Sequence, residues 1–313
     1  MALNISKSLY PFTSRFATVS GIGSKRHQLH YLDEGRLDEG EENGSAGGKN
    51  EALVMIHGNP SWSFLFRDLI KKLSPTYRVV VPDHIGMGLS EKPTDRAYEY
   101  CLDSRLKNFE ELIDQLELPE TFTLILHDWG GMIGMAYAAR HPERIARLVL
   151  MNTAAFHLPD HMSVPHSLGL ARTPLGTYSV RGLNGFARIA THWCVKQPLS
   201  DEVKRAYTQP YDTWKNRIGT LRFVQDVPLK QSDRSYDAVT ATEKGLAQFA
   251  DTPKLIVWGN NDFVFKPDVL EHWRGIWPNA EVHDIDNCGH YLMEDAPTEV
   301  CDKIASFLEK HTL

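Results

Sequence analysis

Residues 121–134 read TFTLILHDWGGMIG. The apolar run 122–126 has the length of a buried strand, Asp128-Trp129-Gly130-Gly131 interrupts it, and the small residues that follow open a helix. Strand, tight turn and helix leave one side chain, Asp128, at the corner, and the paired glycines let strand and helix approach closely. A lone aspartate before a helix can be read simply as its N-cap. It can also be read as a nucleophile. A carboxylate is already an anion at neutral pH, is kept ionised by N–H groups at a helix start, and can attack an electrophilic sp³ carbon without a base.

Outward from this corner, apolar runs at 52–56, 78–81, 148–151, 254–258 and 281–285 alternate with helix-length segments, the pattern of parallel βαβ units. Runs at 16–20 and 28–32, separated by the turn-forming 21–25, predict an opening hairpin. Between 156 and 250 the rhythm stops and helix-like pieces such as 184–193 and 201–219 dominate, with Ser200 placed as an N-cap. This organisation resembles the α/β-hydrolase fold: a mostly parallel eight-stranded sheet flanked by helices, with 1–155 and 251–313 as the core and 156–250 as an inserted helical cap. In that fold the strand-to-helix corner is the nucleophile elbow. No GxSxG occurs in the chain, and Asp128 stands where serine or cysteine is usual.

Three further stretches favour the nucleophile over the cap. His57-Gly58-Asn59-Pro60 follows the first strand of the parallel series, where this fold gives a backbone N–H to an oxyanion hole, and Asn59 is placed to add its side-chain amide. His57 is expected to hold that loop rather than act as a base. Asn287-Cys288-Gly289-His290-Tyr291 lies after the last strand, the position of the general base, and of 14 histidines only His290 has this setting. Gly259-Asn260-Asn261-Asp262 follows a strand, where a carboxylate can accept the imidazole N–H and fix its tautomer. The competing position for that acid holds the uncharged Asn152 and Thr153. The loop 83–90 is expected to shape the turn beneath the site, with Ser90 a capping hydroxyl, and Leu112, Leu116 and Leu118 to pack in the core.

With HGNP, HDWGG, a late-loop Asp and GHY in order, the sequence from Leu29 to Phe307 resembles the haloalkane dehalogenases. The combination looks like their third subfamily. The resemblance implies an Asp128–His290–Asp262 triad, an alkyl-aspartate ester hydrolysed by water, and Asn59 with the indole of Trp129 as halide donors. Trp193 and Trp214 are candidates for a further halide-binding tryptophan, with packing their plainer role. The segments NTAAFHLP, ARTPLG and RFVQDVPL also look like the β-lactone decarboxylase of bacterial long-chain olefin synthesis, which shares the triad. The epoxide hydrolases carry HDWGG too, but need two cap tyrosines, for which Tyr178, Tyr207 and Tyr211 are available. The expected partners are a small apolar halogenated or lactone substrate and a halide ion, with neither metal nor organic cofactor, and the subfamily likeness leaves room for homo-oligomers. A non-catalytic ligand-binding member of the fold is the reading of a different class.

The bulk composition agrees with an enzyme on a small molecule. A net charge of -6 with mixed signs offers no basic stripe for nucleic acid or an anionic membrane. No run of about 18 apolar residues is present and the start MALNISKSLYPF lacks a signal-type core, which predicts a cytoplasmic protein. Four scattered cysteines without a CxxC pair predict free thiols. The acidic, Gly-rich stretch 33–49 breaks all periodicity and reads as a mobile loop.

Overall fold

The structure, a computed structural model, describes residues 5–35, 51–159 and 166–313. Eight strands make one sheet: β1 (Arg15–Ser20), β2 (Arg26–Glu34), β3 (Ala52–Ile56), β4 (Arg78–Pro82), β5 (Phe122–His127), β6 (Ile145–Met151), β7 (Lys254–Gly259) and β8 (Glu281–Ile285), in the spatial order β1-β2-β4-β3-β5-β6-β7-β8. The β1–β2 and β2–β4 pairs are antiparallel and the rest parallel. The interior strands β3, β5 and β7 are buried along their whole length, as parallel strands covered on both faces must be, which is why they read as apolar runs.

Helices cover both faces: α1 (Arg67–Leu73), α2 (Leu102–Gln115) and α3 (Trp129–Arg140) before β6, and α10 (Pro267–Ile276), α11 (Leu292–Asp295) and α12 (Pro297–Lys310) after β7. Between β6 and β7 lie α4 (His166–Ala171), α5 (Pro174–Leu183), α6 (Gly185–Trp193), α7 (Asp201–Thr208), α8 (Ile218–Asp226) and α9 (Tyr236–Gly245). Leu112 and Leu116 are buried in the core and Leu118 packs against it. Ser200 caps α7, its hydroxyl accepting from the Val203 N–H at 3.3 Å. All four cysteines are buried free thiols. Among the described residues no helix is long and apolar enough to cross a membrane.

Three boundaries differ from the sequence reading. Asn184, in the left-handed region with φ 54°, separates α5 from α6, so 184–193 is the second of two helices. Pro210, inside 201–219, cannot donate the next helical N–H, and α7 stops at Thr208. Asp33 and Glu34 belong to β2, Asp33 paired with Arg78 at 2.9 Å, and the acidic stretch from 36 onward lies outside the described residues.

Strand β6 also begins three residues earlier than its apolar run, because Arg147 is a strand residue buried at 0 % exposure. Its guanidinium meets Glu51 at 2.6 Å, Thr123 Oγ1 at 2.9 Å and the carbonyls of Leu308 and His311, tying β6 to α12. Arg147→Met leaves the Glu51 carboxylate buried without its cation, and urea unfolding is expected to show a loss of about 3–5 kcal/mol.

Candidate active site

The corner between β5 and α3 holds Asp128 at φ 53°, a strained backbone for any residue but glycine. Its main chain is clamped: the Asp128 N–H donates to the Asn152 carbonyl at 3.2 Å, and the Asp128 carbonyl accepts from the Thr153 hydroxyl at 2.5 Å and the Gly131 N–H at 2.9 Å. The carboxylate does not cap α3. It turns instead toward the loop after β3, where Oδ1 accepts the Asn59 N–H at 2.6 Å. A Cβ on Gly58 would stand 1.9 Å from that oxygen, and one on Gly131 1.8 Å from Thr153 Oγ1, so both positions require glycine. Gly58→Ala is expected to push the carboxylate off its line and lower kcat by about 10²-fold. Steady-state kinetics on the folded variant check it.

His290 sits across from this carboxylate, Nε2 3.6 Å from Asp128 Oδ2, and its Nδ1 meets Asp262 Oδ2 at 2.8 Å. Asp262 is itself held: Oδ1 by the Val264 N–H at 2.6 Å and Oδ2 also by the Asn152 amide at 3.0 Å. The His290 carbonyl accepts from His127 at 2.8 Å, and Phe265 stacks on the imidazole at 5.8 Å between centroids. Three groups, from the ends of β5 and β7 and the loop after β8, thus form one chain of contacts with side chains no more than 8 % exposed.

Burial dominates the electrostatics. It pushes the Asp128 carboxyl above the usual carboxylate range, although His290 and the backbone N–H groups of Trp129 and Asn59 pull the other way. Burial alone would lower His290, but the charge and hydrogen bond of Asp262, then the charge of Asp128, hold it above the ordinary histidine value. A carboxylate facing an imidazole that a second carboxylate orients is an arrangement that can bond to carbon and then be released.

The structure brings the remaining two expected residues to the same place. Asn59 leads the loop that contacts Asp128, and its side-chain amide donates to the Thr220 carbonyl of α8 at 3.1 Å. Trp129 follows Asp128 directly, half-buried, with Phe223 of α8 5.3 Å from its ring. His57 holds the loop as expected, accepting at Nε2 from the His84 N–H at 3.3 Å with its Nδ1 2.7 Å from the Gly58 carbonyl. Ser90 donates to the Asp83 carbonyl and accepts from the His30 N–H, a loop-holding hydroxyl.

Sequence reasoning missed four contributors. Asn152 was read only as uncharged, yet it orients the acid. His127 stands in the HDWGG motif without a sign of its contact to the loop after β8, and Thr220 and Phe223 carry no signal of their own, because a backbone carbonyl and a ring on a helix look like any others. Trp193 and Trp214 are 69 % and 46 % exposed, so neither packs in the interior. Tyr178 is 58 % exposed, while the Tyr207 hydroxyl donates to Glu294 and that of Tyr211 to the Ser61 carbonyl.

Residues 51–297 match the family described by the alpha/beta hydrolase fold. The chain belongs to the α/β-hydrolase family. Within this family it is 48 % identical, over 98 % of its length and 92 % of the relative's, to the cis-3-alkyl-4-alkyloxetan-2-one decarboxylase of Shewanella oneidensis. It is 42 % identical to the protein of the same name from Xanthomonas campestris, over 91 % and 93 %. Among solved structures it superposes on the haloalkane dehalogenase DatA of Agrobacterium tumefaciens with a TM-score of 0.80 at 23 % identity, covering 98 % of this chain and all of that one.

Proposed function

We propose that this hydrolase-fold chain decarboxylates cis-3-alkyl-4-alkyloxetan-2-ones to carbon dioxide and a cis alkene, with Asp128 as nucleophile. The observation that carries this reading is the 48 % identity, over nearly the whole length, to the Shewanella oneidensis decarboxylase. Motifs alone put hydrolytic dehalogenation first and the lactone reaction second. The relatives reverse that order, since the motifs are common to both.

The chemistry fits the geometry. C4 of a β-lactone is an sp³ carbon carrying a carboxylate leaving group in a strained ring. Asp128 attacks C4 and the C4–O1 bond breaks, leaving an ester to Asp128 and a free carboxylate, which receives the N–H groups of Asn59 and Trp129 where charge develops. The C2–C3 bond then breaks to release carbon dioxide, its electron pair forms C3=C4, and the C4–O bond to Asp128 breaks. Inversion at C4 followed by anti elimination keeps the alkyl groups cis. No water is consumed and no proton is lost. His290, oriented by Asp262, directs its Nε2–H at the charge returning to Asp128. No step calls for a metal or an organic cofactor.

The second reading rests on the Asn59–Trp129 pair, which would receive a departing halide equally well. Asp128 would then carry an alkyl group, and His290 would take a proton from the water that attacks the ester carboxyl. The tyrosine hydroxyls needed by an epoxide hydrolase are engaged elsewhere or exposed, and this weighs against that reaction. The inserted segment 156–250 is proposed to act as the cap that admits one electrophile and not another. One paired assay tests the whole: alkene and carbon dioxide from a long-chain cis-β-lactone against halide from a medium-chain bromoalkane. Alkene release is expected, and fast halide release without alkene overturns the proposal.

A further inference from the structure

Helix α8 meets the donor pair with one face. Thr220, Phe223 and Asp226 recur every three residues and so share a stripe of the helix. The Thr220 carbonyl takes the Asn59 amide at 3.1 Å, the Phe223 ring lies 5.3 Å from that of Trp129, and Asp226 Oδ2 takes Nη1 of Arg105 at 3.2 Å. Arg105 comes from α2, on the core side, and its side chain is wholly buried.

Its guanidinium lies 3.8 Å from the centroid of Phe223 and 5.9 Å from that of Trp129, within cation–π reach of both rings. His84 also stands beside Phe223, 5.6 Å away between ring centroids. The Asp226 carboxylate is completed by the Ser235 hydroxyl at 2.8 Å, and Ser235 in turn accepts the Leu102 N–H at 3.2 Å. Burial raises the Asp226 carboxyl to about 6, with the Arg105 charge and the Ser235 hydroxyl opposing.

Nothing in the reaction above touches Arg105 or Asp226. A buried ion pair is also a poor way to gain stability, since an apolar pair of similar volume does as well or better. Its distinctive property is directional: a flat cation fixes a carboxylate and a ring at defined distances, which an aliphatic contact does not.

We infer that Arg105 and Asp226 are positioning residues, which hold α8 where Thr220 and Phe223 aim the Asn59 amide and the Trp129 indole at one departing anion. The inference rests on the donor roles proposed above. If the pair acts through the donors, its loss weakens stabilisation of the leaving carboxylate while the contacts to the alkyl arms persist.

Asp226→Asn is therefore expected to lower kcat on a long-chain cis-β-lactone by about 10-fold, with KM within about twofold, at a temperature where the variant is fully folded. The deciding measurement is a double-mutant cycle with Asn59→Ala. In the Asn59→Ala background, Asp226→Asn is expected to lower kcat by only about threefold, since one of the two donors it aims is gone. Multiplicative losses overturn the inference and assign the pair a structural role. Should Asp226→Asn fail to fold, Phe223→Leu, which keeps an apolar contact but removes the ring beside Trp129, is paired with Trp129→Phe, which removes the indole N–H, and the cycle has the same two outcomes. If Asn59→Ala alone leaves kcat unchanged, the donor reading itself falls, and that result is separable from additivity.

Discussion

Asp128→Asn removes the attacking anion while keeping shape and volume, and is expected to reduce kcat by about 10⁴-fold or more, the scale on which covalent nucleophiles are lost. The same substitution is expected to raise the melting temperature. Burial lifts the Asp128 carboxyl above its unfolded value, so folding favours the neutral form. The stability this contributes is present below the unfolded carboxylate pKa and is lost as pH rises through the folded one. At neutral pH the wild-type protein carries a buried charge that the amide does not, and φ 53° remains in either case. Calorimetry at pH 7 and pH 4 checks the sign: the gain from Asn should shrink at the lower pH. The raised carboxyl also places the acid limb of activity above the ordinary carboxylate range. A variant that turns over at the wild-type rate ends the nucleophile assignment.

His290→Ala is expected to slow turnover by about 10²–10⁴-fold, since the group that meets the charge returning to Asp128 is gone. What accumulates distinguishes the two reactions. Ring opening expels nothing from the molecule, so intact-protein mass spectrometry should show a gain equal to the full mass of the lactone, located on the peptide containing Asp128. A haloalkane would leave only its alkyl group, lighter by the hydrogen halide. Full turnover by this variant would remove His290 from the chemistry under either reading. The two proposals therefore share residues but not adducts.

Much of this was legible before any coordinates. Asp128, His290 and Asp262 each follow a short apolar run, and in a sheet of parallel strands the residues just past the strand ends gather at one edge. All eight strands were legible from their runs. The failures have local causes. Arg147 hid the start of β6 because a charged side chain reads as surface, although Glu51 and two carbonyls absorb it inside. Pro210 ends α7 inside 201–219, a stretch that reads as one helical piece. The contact between Asn59 and Thr220 spans 161 residues and uses no side chain of Thr220, so no motif could announce it. The choice between lactone and haloalkane is not legible in the motifs, since both families share them.

The clasp on Asn59 is made by a main-chain oxygen, while the Thr220 hydroxyl is spent on the Arg217 carbonyl. A scan that truncates side chains one at a time would therefore score position 220 as unimportant to catalysis, and valine there would leave the clasp in place. What evolution must preserve at that point is the path of the helix rather than the letter written on it. Transplanting inserted helices between relatives would then carry along part of the machinery for receiving the leaving group, even when every recognised site residue belongs to the recipient.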